Sequence, residues 1–186
     1  MRYLTLANQL TLLRIVLVPA FVVLMVYDYP GWALVVFSIA GLTDLLDGVI
    51  ARRTGQRTSL GMWLDPMADK LLLVTTFIVL TLPAMPLMNR LPIWLTVCVI
   101  SRDIVILGVV AIVNLAVGPR TFRPSIWGKG ATACFIVTAI AVMFFNYLGT
   151  RSVVIDVCVW TSFALTAISS ADYLFRLRRV VAEPSA

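Results

Sequence analysis

DLLDGVIARRTGQRTSLGMWLDPMAD, residues 44–69, sets four carboxylates, Asp44, Asp47, Asp65 and Asp69, inside or at the ends of two long apolar runs. At helical periodicity Asp44, Asp47, Gly48, Ala51 and Arg52 stand at i, i+3, i+4, i+7 and i+8 and share one face. Gly61, Asp65 and Asp69 do the same on the following helix. The connection from Arg53 to Leu60 is short enough to make the two helices antiparallel neighbours, with the four carboxylates gathered at one end. Four of the chain's nine acidic residues fall in this window, in surroundings where a charge is costly and needs a reason. Such a cluster repels itself without cations. Two Mg²⁺ or Mn²⁺ ions, hard and oxygen-seeking, are the simplest compensation, and a carboxylate-bridged metal pair is a standard device for displacement at phosphorus. Ion-paired structural residues, or a proton or cation pathway as in an ion transporter, are the alternatives the cluster alone leaves open.

Outward from this window the chain is 61% hydrophobic and only 13% charged over 186 residues, a composition for which the bilayer is the solvent. Six apolar stretches of spanning length run from Gln9 to Tyr27, Gly31 to Ile50, Gly61 to Leu82, Leu91 to Val117, Gly130 to Leu148 and Val153 to Phe175. Breakers and turn formers separate them: Asp28 to Pro30, Thr54 and Gly55, Pro83 and Pro86, Gly118 and Pro119, Gly149 and Thr150. The fold expected is an all-α integral membrane protein of six transmembrane helices, one domain over residues 1–186, with no extramembrane domain and no internal repeat. Pro19 and Ala20 lie mid-span rather than at an exit, so the first stretch reads as a helix and not as a signal peptide.

Basic residues decide orientation. Arg2 and Arg14, then Arg52, Arg53 and Arg57, then Arg120, Arg123 and Lys129, then Arg176, Arg178 and Arg179 alternate with loops holding only Arg90 and Arg151. The positive-inside rule therefore puts both termini and the second and fourth loops in the cytoplasm of a multi-pass protein of the cell (inner) membrane. The net charge of +6 comes without the polar surface of a soluble basic domain, which favours anionic membrane lipids over nucleic acid as its partner. With no His, imidazole ligands and His-based acid or base catalysis are excluded, so chemistry falls to carboxylates, Lys, Arg and hydroxyls. Cys98, Cys134 and Cys158 sit singly in apolar runs and read as small buried hydrophobes, suggesting neither a disulfide framework nor a thiolate metal site.

Written as a pattern, residues 44–69 have the form D-x-x-D-G-x-x-A-R, eight residues, then G-x-x-x-D-x-x-x-D. This resembles the signature of the CDP-alcohol phosphotransferase family at every fixed position and spacing. The resemblance extends over most of the chain, through an Asn8, Thr11 and Arg14 pattern near the start and a Ser101, Arg102 and Asp103 cluster in span four. It implies a CDP-diacylglycerol-dependent phosphatidyltransferase that is a homodimer and uses two divalent ions. It implies further that Asp44, Asp47 and Asp65 bind metal, and that Asp69 completes the site and takes the proton of the attacking hydroxyl. By the same resemblance Gly48 and Gly61 leave room for the cytidine nucleotide, Arg52 stands near its phosphates, and Asn8, Thr11 and Ala51 belong to the donor site. Close helix packing is the alternative reason for either glycine.

Arg102, Arg120, Arg123 and Lys129 lie on the expected cytoplasmic side and suit an anionic acceptor. Topology alone accounts for cations at Arg120 and Arg123, whereas Arg102 lies well inside span four and needs a partner, for which Asp103 is placed. Lys129, at the expected start of span five, adds a helix N-terminus as an anion site. A dianionic phosphomonoester best justifies so many cations, so glycerol 3-phosphate is the acceptor expected. Phosphatidylglycerol is the alternative, and the segment from Ser101 to Leu107 leans towards it. A choline or ethanolamine acceptor would want aromatic or acidic neighbours for its cation.

Overall fold

The computed structural model describes residues 6–54, 59–117 and 125–182, with side chains at 9–43, 68, 70–109 and 125–175. The elements are α1 (Leu6–Val26), α2 (Pro30–Thr54), α3 (Ser59–Thr81), α4 (Ile93–Val117), α5 (Ile126–Tyr147) and α6 (Val153–Ala182). Each expected apolar stretch is a helix. The boundaries move where capping or charged residues extend a helix beyond its apolar run. Helix α5 begins at Ile126, four residues before the expected Gly130, because Ser125 caps it. The Ser125 Oγ accepts from the Trp127 amide at 3.2 Å and its carbonyl accepts from the Lys129 amide at 3.1 Å. Helices α2 and α6 continue through their arginines to Thr54 and Ala182, Arg being a good helix former although it ends an apolar run.

Three described segments are long and apolar enough to cross a membrane, Gln9–Val26, Ile126–Tyr147 and Val153–Phe175, and the chain is an integral membrane protein. Pro30–Thr43 and Lys70–Thr81 are apolar segments within the longer helices α2 and α3. The surface has the inverse pattern of a soluble protein. Leu12, Val16 and Val23 of α1 face outward, while Thr11 and Arg14 are fully buried.

The chain forms two compact units, Met1–Arg90 with Ala139–Arg151, and Leu91–Thr138 with Ser152–Ala186. In the first, α1 packs against both α2 and α3. Its buried face runs Thr11, Arg14, Val18, Phe21 and Met25 at steps of three and four, with the Phe21 and Phe37 rings 6.2 Å apart. Two helix ends in this unit close by the same paired hydrogen bonds. After α1, the Tyr29 amide reaches the Leu24 carbonyl and the Asp28 amide that of Met25; after α5, Thr150 reaches Phe145 and Gly149 reaches Asn146. The residue in the left-handed conformation is Gly149 (φ 63°) in one and Asp28 (φ 61°) in the other. The α3–α4 connection is held to the turn after α5 by an asparagine pair. Asn146 Oδ1 accepts from the Asn89 amide at 2.9 Å, Asn146 Nδ2 donates to the Asn89 carbonyl at 2.9 Å, and Asn89 Nδ2 donates to the Thr150 carbonyl at 2.7 Å.

In the second unit α4 packs against α6, with Trp94 against Trp160 and Phe163 at ring separations of 5.6 and 5.3 Å. Thr138 and Ser162 share a hydrogen bond of 2.9 Å, and the Cys134 thiol lies 3.4 Å from the Ser162 hydroxyl. The three cysteines are free thiols and half-buried rather than buried, because each sits at the margin of its helix's packed face.

Candidate active site

Helix α2 carries positions 44, 47, 48, 51 and 52 in its C-terminal half, and α3 carries 61, 65 and 69 in its N-terminal half. The side chains of Asp44, Asp47, Gly48, Ala51, Arg52, Gly61, Asp65 and Asp69 lie outside the described residues, as do those of Asn8, Arg120 and Arg123. The framework around them is described. The buried face of α2 runs Ala33, Phe37, Ala40 and Thr43, and the same steps of three and four continue to positions 44, 47 and 51. On α3 the buried face runs back from Thr76 through Leu72 to Ala68, and the next steps are 65 and 61.

Helix α1 packs against both of these helices. A three-residue turn makes α1 and α2 antiparallel neighbours, so depth can be counted from it. Arg14 lies roughly 18 Å from the end of α1 and position 44 roughly 21 Å from the start of α2, using about 1.5 Å per residue. Thr11 and Arg14, both with 0% exposure, therefore stand at the depth of the aspartate-bearing segment. An arginine buried in a membrane-length helix demands opposite charge or hydrogen-bond acceptors, since its desolvation cost otherwise goes unanswered. The N-terminal pattern thus brings a hydroxyl and a cation to the inner face of α1.

A second polar cluster is built in the other unit from α4, α5 and α6. Arg102 Nη1 donates to Asp103 Oδ1 at 2.8 Å, with the two side chains 10% and 18% exposed. Asp103, the partner expected for Arg102, is therefore in place. Arg102 Nη2 donates to Ser169 Oγ of α6 at 2.7 Å. Gly128 lies against the same nitrogen, where an added Cβ would sit 3.1 Å from Nη2. The Ser125 hydroxyl, beside Gly128, donates to Asp172 Oδ2. The guanidinium is not exhausted by these contacts. Nε has no partner among the described residues, and Nη1 and Nη2 each carry a second N–H.

Lys129 is exposed in the first turn of α5, and its amide is already bonded to the Ser125 carbonyl. The expected anion site therefore has the Lys129 ammonium to offer but not the Lys129 amide. Ser169 and Asp172 were not read as site residues from the sequence, although a signal exists. Ser162, Thr166, Ser169 and Asp172 recur at steps of four and three through an apolar helix, and the first three are buried. A polar stripe facing inward from a membrane helix is costly and marks a packed polar partner.

The chain matches the family model described as CDP-alcohol phosphatidyltransferase over residues 4–168. It is similar to a probable phosphatidylglycerophosphate synthase of Mycobacterium tuberculosis, 34% identical over 186 residues, 96% of this chain and 84% of that protein. It is similar also to the human cardiolipin synthase (CMP-forming), 34% identical over 95% of this chain and 63% of that protein. A cardiolipin synthase (CMP-forming) of Streptomyces coelicolor is 39% identical over 70% of this chain and 61% of that protein.

Proposed function

Because the chain belongs to the CDP-alcohol phosphatidyltransferase family, we propose that it transfers the phosphatidyl group of CDP-diacylglycerol to glycerol 3-phosphate and releases CMP. The observation that carries the acceptor is Arg102. It is a nearly buried guanidinium with one carboxylate partner, N–H donors to spare, and the Lys129 ammonium one residue beyond the glycine it touches. Asp103 and Asp172 offset the charge of the cluster, so it is the guanidinium N–H donors left over that suit a phosphomonoester. The relative named phosphatidylglycerophosphate synthase, matched nearly end to end, favours the same acceptor. Phosphatidylglycerol is the second reading, favoured by the relatives named cardiolipin synthase.

The donor set at positions 44, 47, 65 and 69 is all carboxylate, carried on two helices that both pack against α1. An oxygen-only set with no imidazole or thiolate fits two hard divalent ions, Mg²⁺ or Mn²⁺, held by Asp44, Asp47, Asp65 and Asp69. When bound, such ions neutralise the pyrophosphate and make CMP a tolerable leaving group. The remaining work belongs to the chain. Gly48, Ala51 and Gly61 leave space for the cytidine nucleotide, with Asn8 and Thr11 offering polar contacts and Arg52 its charge to the phosphates. Asp69 takes the proton as the acceptor hydroxyl oxygen attacks the lipid-bearing phosphorus. The new P–O bond forms as the bond to the bridging oxygen breaks, and CMP departs with that oxygen.

The whole chain, 1–186, acts as one catalytic domain of six membrane helices, with both termini and the active site on the cytoplasmic side of the inner membrane. The distribution of arginines supports this orientation. The donor's two acyl chains stay in the bilayer while its CDP head meets the signature at the interface. Purified protein given CDP-diacylglycerol, Mg²⁺ and each acceptor in turn tests the reading through CMP release and the lipid product. Phosphatidylglycerophosphate formed from glycerol 3-phosphate is the expected result. A four-chain product from phosphatidylglycerol, with glycerol 3-phosphate ignored, would overturn the acceptor; CMP release with neither would overturn both.

A further inference from the structure

Arg102 lies in the middle of α4, yet what orients it comes from two other helices. Ser169 of α6, 2% exposed, accepts from Nη2 at 2.7 Å. Gly128, in the first turn of α5, leaves the space on the other side of that nitrogen. A Cβ there would come within 3.1 Å, so the guanidinium would have to give by a few tenths of an ångström. The helix backbone at Gly128 needs no glycine for its conformation, since no positive φ is found there, and Ala is the better helix former. The absent side chain is therefore explained by what it would meet. Asp103 alone would leave the fork free to swing about its long stem, whereas a hydroxyl on one side and a bare backbone on the other define a seat.

We infer that Ser169 and Gly128 are positioning residues for the acceptor phosphate, acting through Arg102: one holds Nη2 and the other makes room for it, so that the unused N–H donors keep a fixed direction. This rests on the assignment of Arg102 to the acceptor site. An anion recognised by a planar fork is sensitive to the direction of that fork, because misplacement of about 1 Å in a positioning contact can cost on the order of 10²-fold in rate.

The test is a double-mutant cycle in the purified, metal-supplied enzyme, with either glycerol 3-phosphate or phosphatidylglycerol as acceptor. Gly128→Ala and Ser169→Ala are each expected to raise the acceptor KM by roughly 3- to 30-fold, leaving the dissociation constant for CDP-diacylglycerol and the thermal midpoint near wild type. Arg102→Lys keeps a positive charge but has no Nη2. In that background both substitutions should change the acceptor KM by less than about twofold, since the atom through which they act is gone. Fold-changes that multiply undiminished in the Arg102→Lys background would show ordinary packing effects and overturn the inference. So would a raised acceptor KM in Arg102→Lys while neither Gly128→Ala nor Ser169→Ala had any effect in the wild-type background. If Arg102→Lys leaves the KM for both acceptors at its wild-type value, the assignment of Arg102 itself fails and the positioning role falls with it. The two substitutions approach Nη2 from different helices, so misfolding of one leaves the other to decide.

Discussion

The signature segment and the Arg102 cluster are both polar sites in an apolar chain, but they are assembled in opposite ways. Asp44 to Asp69 is one contiguous stretch, with every candidate ligand within 26 residues and two helices. The second cluster draws Arg102, Asp103, Ser125, Gly128, Ser169 and Asp172 together across 71 positions, and only its Arg102–Asp103 pair is local. Chemistry that needs several like charges together is economically encoded on adjacent turns, where helical periodicity sets the geometry. A single cation that must be held in one direction needs neighbours on several sides, and those come only from packing.

The contrast would break first at the carboxylates. Activity should require a divalent ion, and Asp44→Asn, Asp47→Asn or Asp65→Asn should each lower turnover by roughly 10³-fold or more with the fold retained, since each removes a ligand charge. Turnover surviving in excess chelator would sink the two-metal reading. Asp69→Asn should reduce kcat by about 10²- to 10⁴-fold while keeping CDP-diacylglycerol affinity closer to wild type, because a base is needed in the transition state and not for the donor's ground state. Equal losses in donor affinity and rate would make Asp69 chiefly a ligand.

At the second cluster the expected losses move from turnover to acceptor affinity. Arg102→Ala and Lys129→Ala should each lower kcat/KM for glycerol 3-phosphate by roughly 10- to 150-fold, through KM, as befits loss of a charge-assisted contact of about 1.5–3 kcal/mol. A donor-affinity loss of the same size in Arg102→Ala would place this arginine with the CDP group and dissolve the distinction between the two clusters.

Smaller effects sharpen the comparison by measuring scaffold rather than chemistry. Asn146→Ala removes three hydrogen bonds of 2.8–2.9 Å and strands the Asn89 backbone, so thermal unfolding in detergent should show a loss of about 1–3 kcal/mol with acceptor KM unchanged. Asp28→Gly should instead stabilise by up to about 1 kcal/mol, relieving the left-handed conformation that Gly149 adopts freely at the equivalent turn. Gly149→Ala in the same assay should move the other way.

Much of the molecule is legible along the chain because its solvent is apolar and its elements are local. Six described helices lie where six apolar stretches are read, with Asp28 and Gly149 in two of the turns between them, while Thr54 belongs to α2 and Gly55, Gly118 and Pro119 lie outside the described residues. The ends are less legible: α5 starts at a cap, Ser125, and α2 and α6 continue through arginines that hydropathy treats as stops. The carboxylate spacing could be read because helical periodicity converts sequence intervals into faces. Family membership follows from that spacing together with the match over residues 4–168.

What required the tertiary structure was the company each polar residue keeps. No interval along the sequence relates Arg102 to Ser169, sixty-seven positions apart, or explains Gly128 by a nitrogen on another helix. Nor does any interval pair Asn89 with Asn146, or bury Arg14 while leaving Leu12 and Val16 exposed. Hydrophobicity and periodicity act over one or two helical turns and are therefore written in the chain. The direction of a buried charge depends on desolvation and on hydrogen-bond partners converging from several helices, and those exist only once the helices have packed.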